Sequence, residues 1–426
     1  MSDVPDKNES STLDRALVLY AGLGDDADWI AAAGLFRDLA RTGSDQGVMW
    51  LALLLFSGGC NFPQDKSGAG KLGRQALPGV LDAAKSGDAG AMYLAGYALY
   101  HGIGCVAEPE RALALALGGA ERGDVFAMEF LGQLLLEDRG SGPDTEAGRE
   151  WLEAAAREGS VLAERTLGYL HETGGLGEPD SAAAFRHYLT AAHRGNPVAM
   201  AALGVALLRG SGIDGDTDLG LDWLTRAAGM GTPVALLVLA RLKFMGEHVT
   251  RDVEGALNHY EKAVALGSTE AMVELGQVYL AGTGIRKNPA KARELLLRGA
   301  EAGDPQAACL AGVLLAHGKG GPMDPARAYH LHVRAANAGV ARSMAELGGM
   351  LLDGRGVSRD MDQGLEWLFR AAEMGDPEAT LSLGKRYMDG DGVPMDREIA
   401  KKWLVRAFDY GMPEAAARLG ILARKT

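Results

Sequence analysis

Stepping through the sequence by 36 residues from Gly96 lands on Gly132, Gly168, Gly204, Ala240, Gly276, Gly312, Gly348, Gly384 and Gly420, without a slip. A second column keeps the same step: Gly123, Gly159, Gly195, Gly231, Gly267, Gly303, Gly339, Gly375 and Gly411. This constrains the fold more than any composition can. A unit of this length holds two helices and cannot bury its apolar face alone, so each copy must stack on the next.

The other columns supply the physics. Five residues before the glycine ruler stands a small residue each time, as in Ala91, Ala127, Ala163, Ala199, Ala271, Ala307, Ser343 and Ala379. Sixteen after it stands another: Ala112, Gly148, Ala184, Gly220, Ala256, Ala292, Ala328, Gly364 and Ala400. Small residues at helix crossings allow axes to approach to about 8 Å. Leucines such as Leu131, Leu203 and Leu347 fill the remaining space on the first helix of a unit, and Trp151, Trp223, Trp367 and Trp403 are expected as core wedges on the second.

Twelve residues past the ruler come Glu108, Asp144, Asp180, Asp216, Asp252, Asn288, Asp324, Asp360 and Asp396, which suit the N-cap of the second helix. Asp124, Ser160, Asn196, Thr232, Ser268, Asp304 and Asp376 suit the N-cap of the next first helix, with Pro197, Pro233, Pro305 and Pro377 directly after. Gly-x-Gly pairs such as Gly210/Gly212, Gly282/Gly284 and Gly390/Gly392 follow a helix rather than a strand. They read as left-handed helix stops, not phosphate loops.

The segments Leu275–Ile285 and Trp367–Asp376 closely resemble the Sel-one-like repeat family, relatives of the tetratricopeptide proteins. The resemblance implies an all-α, right-handed α-solenoid, a superhelix of helix–turn–helix repeats, and proteins of this kind mostly act as adaptors or scaffolds. The register extends backward through Ala16, Asp28, Ala32 and Gly43. It predicts a disordered stretch at 1–8 and one solenoid of eleven repeats over 9–412. The repeats are 9–44, an irregular 44-residue copy at 45–88, and nine regular copies over 89–412. A capping half-repeat at 413–426 carries Arg418, Arg424 and Lys425. In the irregular copy Gly58-Gly59-Cys60-Asn61-Phe62-Pro63 leads into an insert, and Pro78-Gly79 is expected to interrupt the second helix.

Composition narrows the function. The 60 glycines are roughly twice ordinary usage, as many turns and close helix contacts require. A net charge of −13 argues against nucleic acid and anionic membranes and for a basic or mixed-charge protein partner. Three cysteines make no disulfide framework. Met1–Ser11 lacks the pattern of a signal segment, and no apolar run is long enough to insert in a membrane, so a cytoplasmic setting is expected.

No catalytic, cofactor or metal constellation emerges. His330 and His332 are two apart and point in different directions on a helix. His187 and His259 replace the tryptophan of its column and are expected to be partly buried. The reading is therefore a non-enzyme without cofactor or metal. In the resembled family the first helix of each repeat lines the concave surface. There the ruler offsets place Tyr93, Tyr97 and His101 in one repeat, Glu129, Gln133 and Glu137 with Phe126 and Phe130 in the next, and then Arg165 and Tyr169. Tyrosine offers a large contact area with a polar tip, so Tyr93, Tyr97 and Tyr169 are expected exposed in a peptide-binding groove. Cys60, Asn61 and Phe62 are a possible loop contact. The expected function is an adaptor holding a partner peptide or protein in that groove. The alternative is a dedicated inhibitor, of immunity type, that wraps one enzyme or toxin, and the outlier is an enzyme with a cryptic site in the groove.

Overall fold

The computed structural model describes residues 7–21, 28–58, 64–137, 142–212 and 214–424. Among them are 23 α-helices and no strand. Twenty-two helices form eleven successive pairs, each made of a first and a second helix, and Pro413–Arg424 follows them. The chain divides after Ser268 into two compact units, one holding the first seven pairs and the other the last four with the final helix. The first pair begins at Lys7, inside the stretch expected to be disordered.

The caps form as the columns require. Asp124 Oδ1 accepts from the Ala127 N–H at 2.7 Å, Asn196 Oδ1 from Ala199 at 2.8 Å, and Asp360 Oδ1 from Gln363 at 3.0 Å. Two positions fail. Glu108 has one methylene too many to fold back on its own helix, and it lies 3.4 Å from Arg111 instead. Thr232 makes no cap bond, and its buried Oγ1 has no partner. At the other ends Gly210 and Gly212 have φ of +67° and +81°, the left-handed region that stops a helix.

Packing follows from the small columns. Ala127, Ala199, Ala271, Ser343 and Ala379 are all fully buried. A Cβ added to Gly132 would stand 2.9 Å from the Gly148 carbonyl oxygen, and one on Gly204 2.8 Å from that of Gly220. The ruler glycines thus let paired helices meet backbone to backbone.

The tryptophans and Pro78 both depart from expectation. Trp223 is buried, but Trp151, Trp367 and Trp403 are only half-buried. The residue that faces the ruler glycine is the next one along: Leu152, Leu224, Leu368 and Leu404, all buried. The tryptophans lie at the edge of that contact, and Arg226, Arg370 and Arg406 sit 5.0, 5.1 and 5.8 Å from the ring centroids of Trp223, Trp367 and Trp403. For the half-buried Trp367 and Trp403, an arginine at the surface therefore lies against the indole on the side away from the core.

The second correction concerns the irregular repeat. Pro78 does not interrupt its second helix, which runs unbroken through Lys66–Lys85. Proline removes one backbone bond and crowds the carbonyl four residues before it. Here Ala69, Gly73, Ala76, Leu77, Val80 and Ala84 are buried along one face, and that packing carries the helix past the defect. Most of the insertion is extra helix, 20 residues against 13 in a regular copy such as Val253–Ala265. Gly79 passes so close to the Asp45 carboxylate that a Cβ there would collide with it.

Candidate functional site

The candidate residues lie on three consecutive first helices, Ala89–His101, Val125–Leu136 and Val161–Thr173, with Glu137 just past the end of the second. Because the period is 36, Tyr93, Glu129 and Arg165 hold one position in three successive repeats, and Tyr97, Gln133 and Tyr169 hold another. Stacking the repeats therefore lays these side chains next to one another as two short rows.

Tyr93 is not exposed as expected; only 7% of it meets solvent. Its ring centroid lies 5.5 Å from that of Trp50, 5.5 Å from Phe126 and 6.1 Å from Phe130. Burial pushes its hydroxyl pKa well above the usual tyrosine value. Phe126 and Phe130 are buried in the same cluster. These three serve packing, because the first two repeats bring Tyr20 and Trp50 against their cluster, with Phe36 behind.

Tyr97 is half-buried. Its ring stands 6.0 Å from Tyr93 and 4.4 Å from His101, itself exposed at the helix end. Burial, with the nearby Glu129 carboxylate, raises the Tyr97 pKa to about 12, against an opposing pull from Arg165. Tyr169 is the most open of the three tyrosines, 58% exposed.

Glu129 is a buried carboxylate, 7% exposed. Its Oε1 accepts from Gln133 Nε2 at 2.6 Å and from Thr166 Oγ1 at 2.9 Å, and the Arg165 guanidinium stands 3.8 Å from the same oxygen. Burial raises the carboxyl pKa, and Arg165 and Thr166 offset only part of that. Glu137 is exposed and accepts a hydrogen bond from the Tyr100 hydroxyl. Cys60, Asn61 and Phe62 lie outside the described residues.

Two adjoining pockets gather these groups. The first, about 520 Å³, is mainly apolar; Leu136, Leu170, Val198 and Ala202 line it with Gln133, Glu137, Arg165, Thr166, Tyr169 and Tyr188. The second, about 320 Å³, takes residues from the first helix of every repeat in its unit: Tyr20, Trp50, Tyr93 and Tyr97, Glu129 and Gln133, Leu162 and Arg165, Pro197 and Val198, and Pro233. Gln133, Arg165 and Val198 border both. Tyr20, Trp50, Thr166, Tyr188 and Val198 were missed by the sequence reading. Trp50 had a signal, since it stands 44 residues before Leu94 and so in the column of Phe130 and Thr166.

No group of three or more His, Cys, Asp or Glu among the described residues is placed to hold a metal ion, and no described helix is long and apolar enough to cross a membrane. His332 is fully buried beside Ser343 while His330 is exposed.

Comparison with known proteins gives a consistent answer. The model of the Sel1 repeat matches nine consecutive segments, 89–124, 125–160, 161–196, 197–232, 233–268, 269–304, 305–340, 341–376 and 377–409. A crystal structure of a protective antigen present in uropathogenic Escherichia coli strains, displaying an SLR fold, aligns at 25% identity and TM-score 0.58, over 98% of this chain and 88% of that one. A Sel1 repeat protein from Oxalobacter formigenes aligns at 28% identity and TM-score 0.49, over 73% and 90%. An immunity protein from Pseudomonas aeruginosa aligns at 20% identity and TM-score 0.40, over 50% and 82%, a likeness too loose to carry an argument. No curated protein sequence matches. Sel1 repeat proteins generally mediate protein–protein interaction and are typically non-catalytic scaffolds. With nine copies of the repeat in register over three quarters of its length, the chain belongs to the Sel1 repeat family.

Proposed function

We propose that this protein is a non-catalytic scaffold that holds a segment of a partner protein along the inner face of its first unit, centred on repeats three to five. The observation that carries this reading is the second pocket. Seven first helices contribute to one cavity, and the one-third-exposed Arg165 joins it to the adjoining pocket lined by the exposed Tyr169. A groove that combines aromatic area, an apolar pocket and a few polar groups suits a polypeptide better than a small polar metabolite. The helix crossings contribute nothing to it, because their small residues are buried between helices.

A photoreactive benzoylphenylalanine placed at Tyr169 tests this in the native cell. Val106, 83% exposed and lining neither pocket, is the control position. Irradiation should join a polypeptide to the Tyr169 position and not to the Val106 position. Identical adducts from both, or none from Tyr169, would remove the proposal.

A further inference from the structure

The second pocket has a chemistry that the first lacks. Its walls include four aromatic rings in sequence: Tyr20 to Trp50 at 5.2 Å between centroids, Trp50 to Tyr93 at 5.5 Å, and Tyr93 to Tyr97 at 6.0 Å. Trp50 and Tyr93 are buried behind, while Tyr20 and Tyr97 are half-buried and reach the cavity. Glu129 completes the lining. Its two hydrogen bonds both fall on Oε1, and Arg165 approaches that oxygen too, at a distance too long for a hydrogen bond. Oε2 is left to the cavity.

A carboxylate taken out of water needs compensation from charge or hydrogen bonds. Glu129 has only part of it, which is why burial raises its pKa despite Arg165. Aromatic faces carry negative potential and attract cations, more strongly where water is excluded. An anion entering here would meet repulsion from both the rings and the carboxylate. A cation would meet attraction from both, opposed in part by the Arg165 guanidinium on the same wall.

We infer that the second pocket receives a cationic side chain of the partner, the guanidinium of an arginine or the ammonium of a lysine. It sits against Tyr97 with Glu129 Oε2 as its counter-ion, and a neighbouring apolar side chain enters the first pocket between Leu136, Leu170 and Val198. This rests on the groove reading above and adds the chemistry of the occupant. Arg165 stands between the two pockets, tied to Thr166 Oγ1 at 3.3 Å, and separates the cationic site from the apolar one.

The test selects binders to the full-length protein from a random octapeptide display library, then synthesises the enriched peptides for calorimetry. Enriched sequences should pair a basic residue with a nearby aliphatic or aromatic one. Replacing that arginine by citrulline, which keeps the shape and removes the charge, should weaken binding to the parent by at least about tenfold. Against Glu129→Gln, which keeps the hydrogen-bonding shape, the same exchange should matter less than about twofold. Tyr97→Leu, which leaves the carboxylate in place, should weaken the arginine peptide and spare the citrulline one, and it serves if Glu129→Gln does not fold. Enrichment of acidic or purely apolar peptides, or equal binding of the citrulline form, overturns the cation site and leaves the groove standing. Failure to enrich any peptide overturns the groove itself.

Discussion

Replacing His332 by leucine should make this protein more stable, and most of all in acid. His332 is fully buried, in the second helix of its repeat, directly opposite the ruler glycine Gly312. The same position elsewhere holds Leu152, Leu224, Leu296, Leu368 and Leu404, all buried, so leucine already fits this geometry five times in the chain. The imidazole is poorly served. Nδ1 lies 3.3 Å from Ser343 Oγ, and Nε2 has no partner. An unpartnered buried polar atom costs about 1–3 kcal/mol, which leucine would recover near neutral pH. Ser343 stands in the small column that is otherwise alanine, so the His–Ser pair replaces the Leu–Ala pair of other repeats.

The pH dependence follows from the direction of the shift. Burial first, then the charges of Arg342 and Arg355, lowers the His332 pKa from 6.5 to about 4. The folded state therefore favours the neutral ring. The contribution is intact above pH 6.5 and is lost as pH falls toward about 4. At about 1.4 kcal/mol per pH unit, the loss amounts to roughly 3 kcal/mol across that interval. Urea unfolding of parent and variant, near neutral pH and at about pH 4.5, reads both effects. Other groups titrate in both proteins and cancel in the difference. The gap in midpoint should favour His332→Leu at neutral pH and widen in acid. A gap that is absent, or that does not change with pH, would refute the reasoning.

Three further outcomes are expected. Trp223→Ala, at a position 6% exposed, should cost about 3–5 kcal/mol, whereas Trp367→Ala, half-buried under Arg370, should cost about half as much; equal thermal shifts would contradict the edge placement. Tyr93→Ala should cost about 3 kcal/mol in stability, because it opens a cavity among Trp50, Phe126 and Phe130, while Tyr169→Ala should leave the melting temperature alone and weaken partner binding. Burial raises the pKa of the capping carboxylate Asp124 to about 6, so its ionised form costs stability as pH rises from 3.8 through 6. Asp124→Asn, a residue that already caps at Asn196, should melt higher than the parent near neutral pH and equally in acid.

What the sequence disclosed was angular. A fixed period fixes which side of a helix each residue occupies, and the caps and glycine stops follow from chemistry that acts within four residues. Pairing, register and the buried small columns were therefore legible. Depth was not. Trp151 and Leu152 are adjacent and both apolar, and only the approach of the partner helix decides that Leu152 goes under while Trp151 stays at the edge. Tyr93 was expected exposed and is buried, since its cover comes from Trp50, 43 positions back and across an insertion of eight residues. Pro78 misled for a related reason. A local rule predicted a break, and tertiary packing overrode it.

In a chain whose repeats are nearly alike, departures from the repeat carry the information, and they are of two kinds. His332 and Ser343 depart together inside a helix crossing, touch each other, and change stability alone. Tyr93, Glu129 and Arg165 depart from one another along one column of the first helices, outside the small columns of the crossings. In the second unit the same column reads Val273, Cys309, Ala345 and Leu381, uncharged throughout. The Glu129 carboxylate accepts a bond from Thr166 of the next repeat, a link that the stacking elsewhere in the column does without. The desolvation cost of this carboxylate and of the Arg165 guanidinium is borne in the first unit only, at the wall of the two pockets, and that is where a partner would repay it.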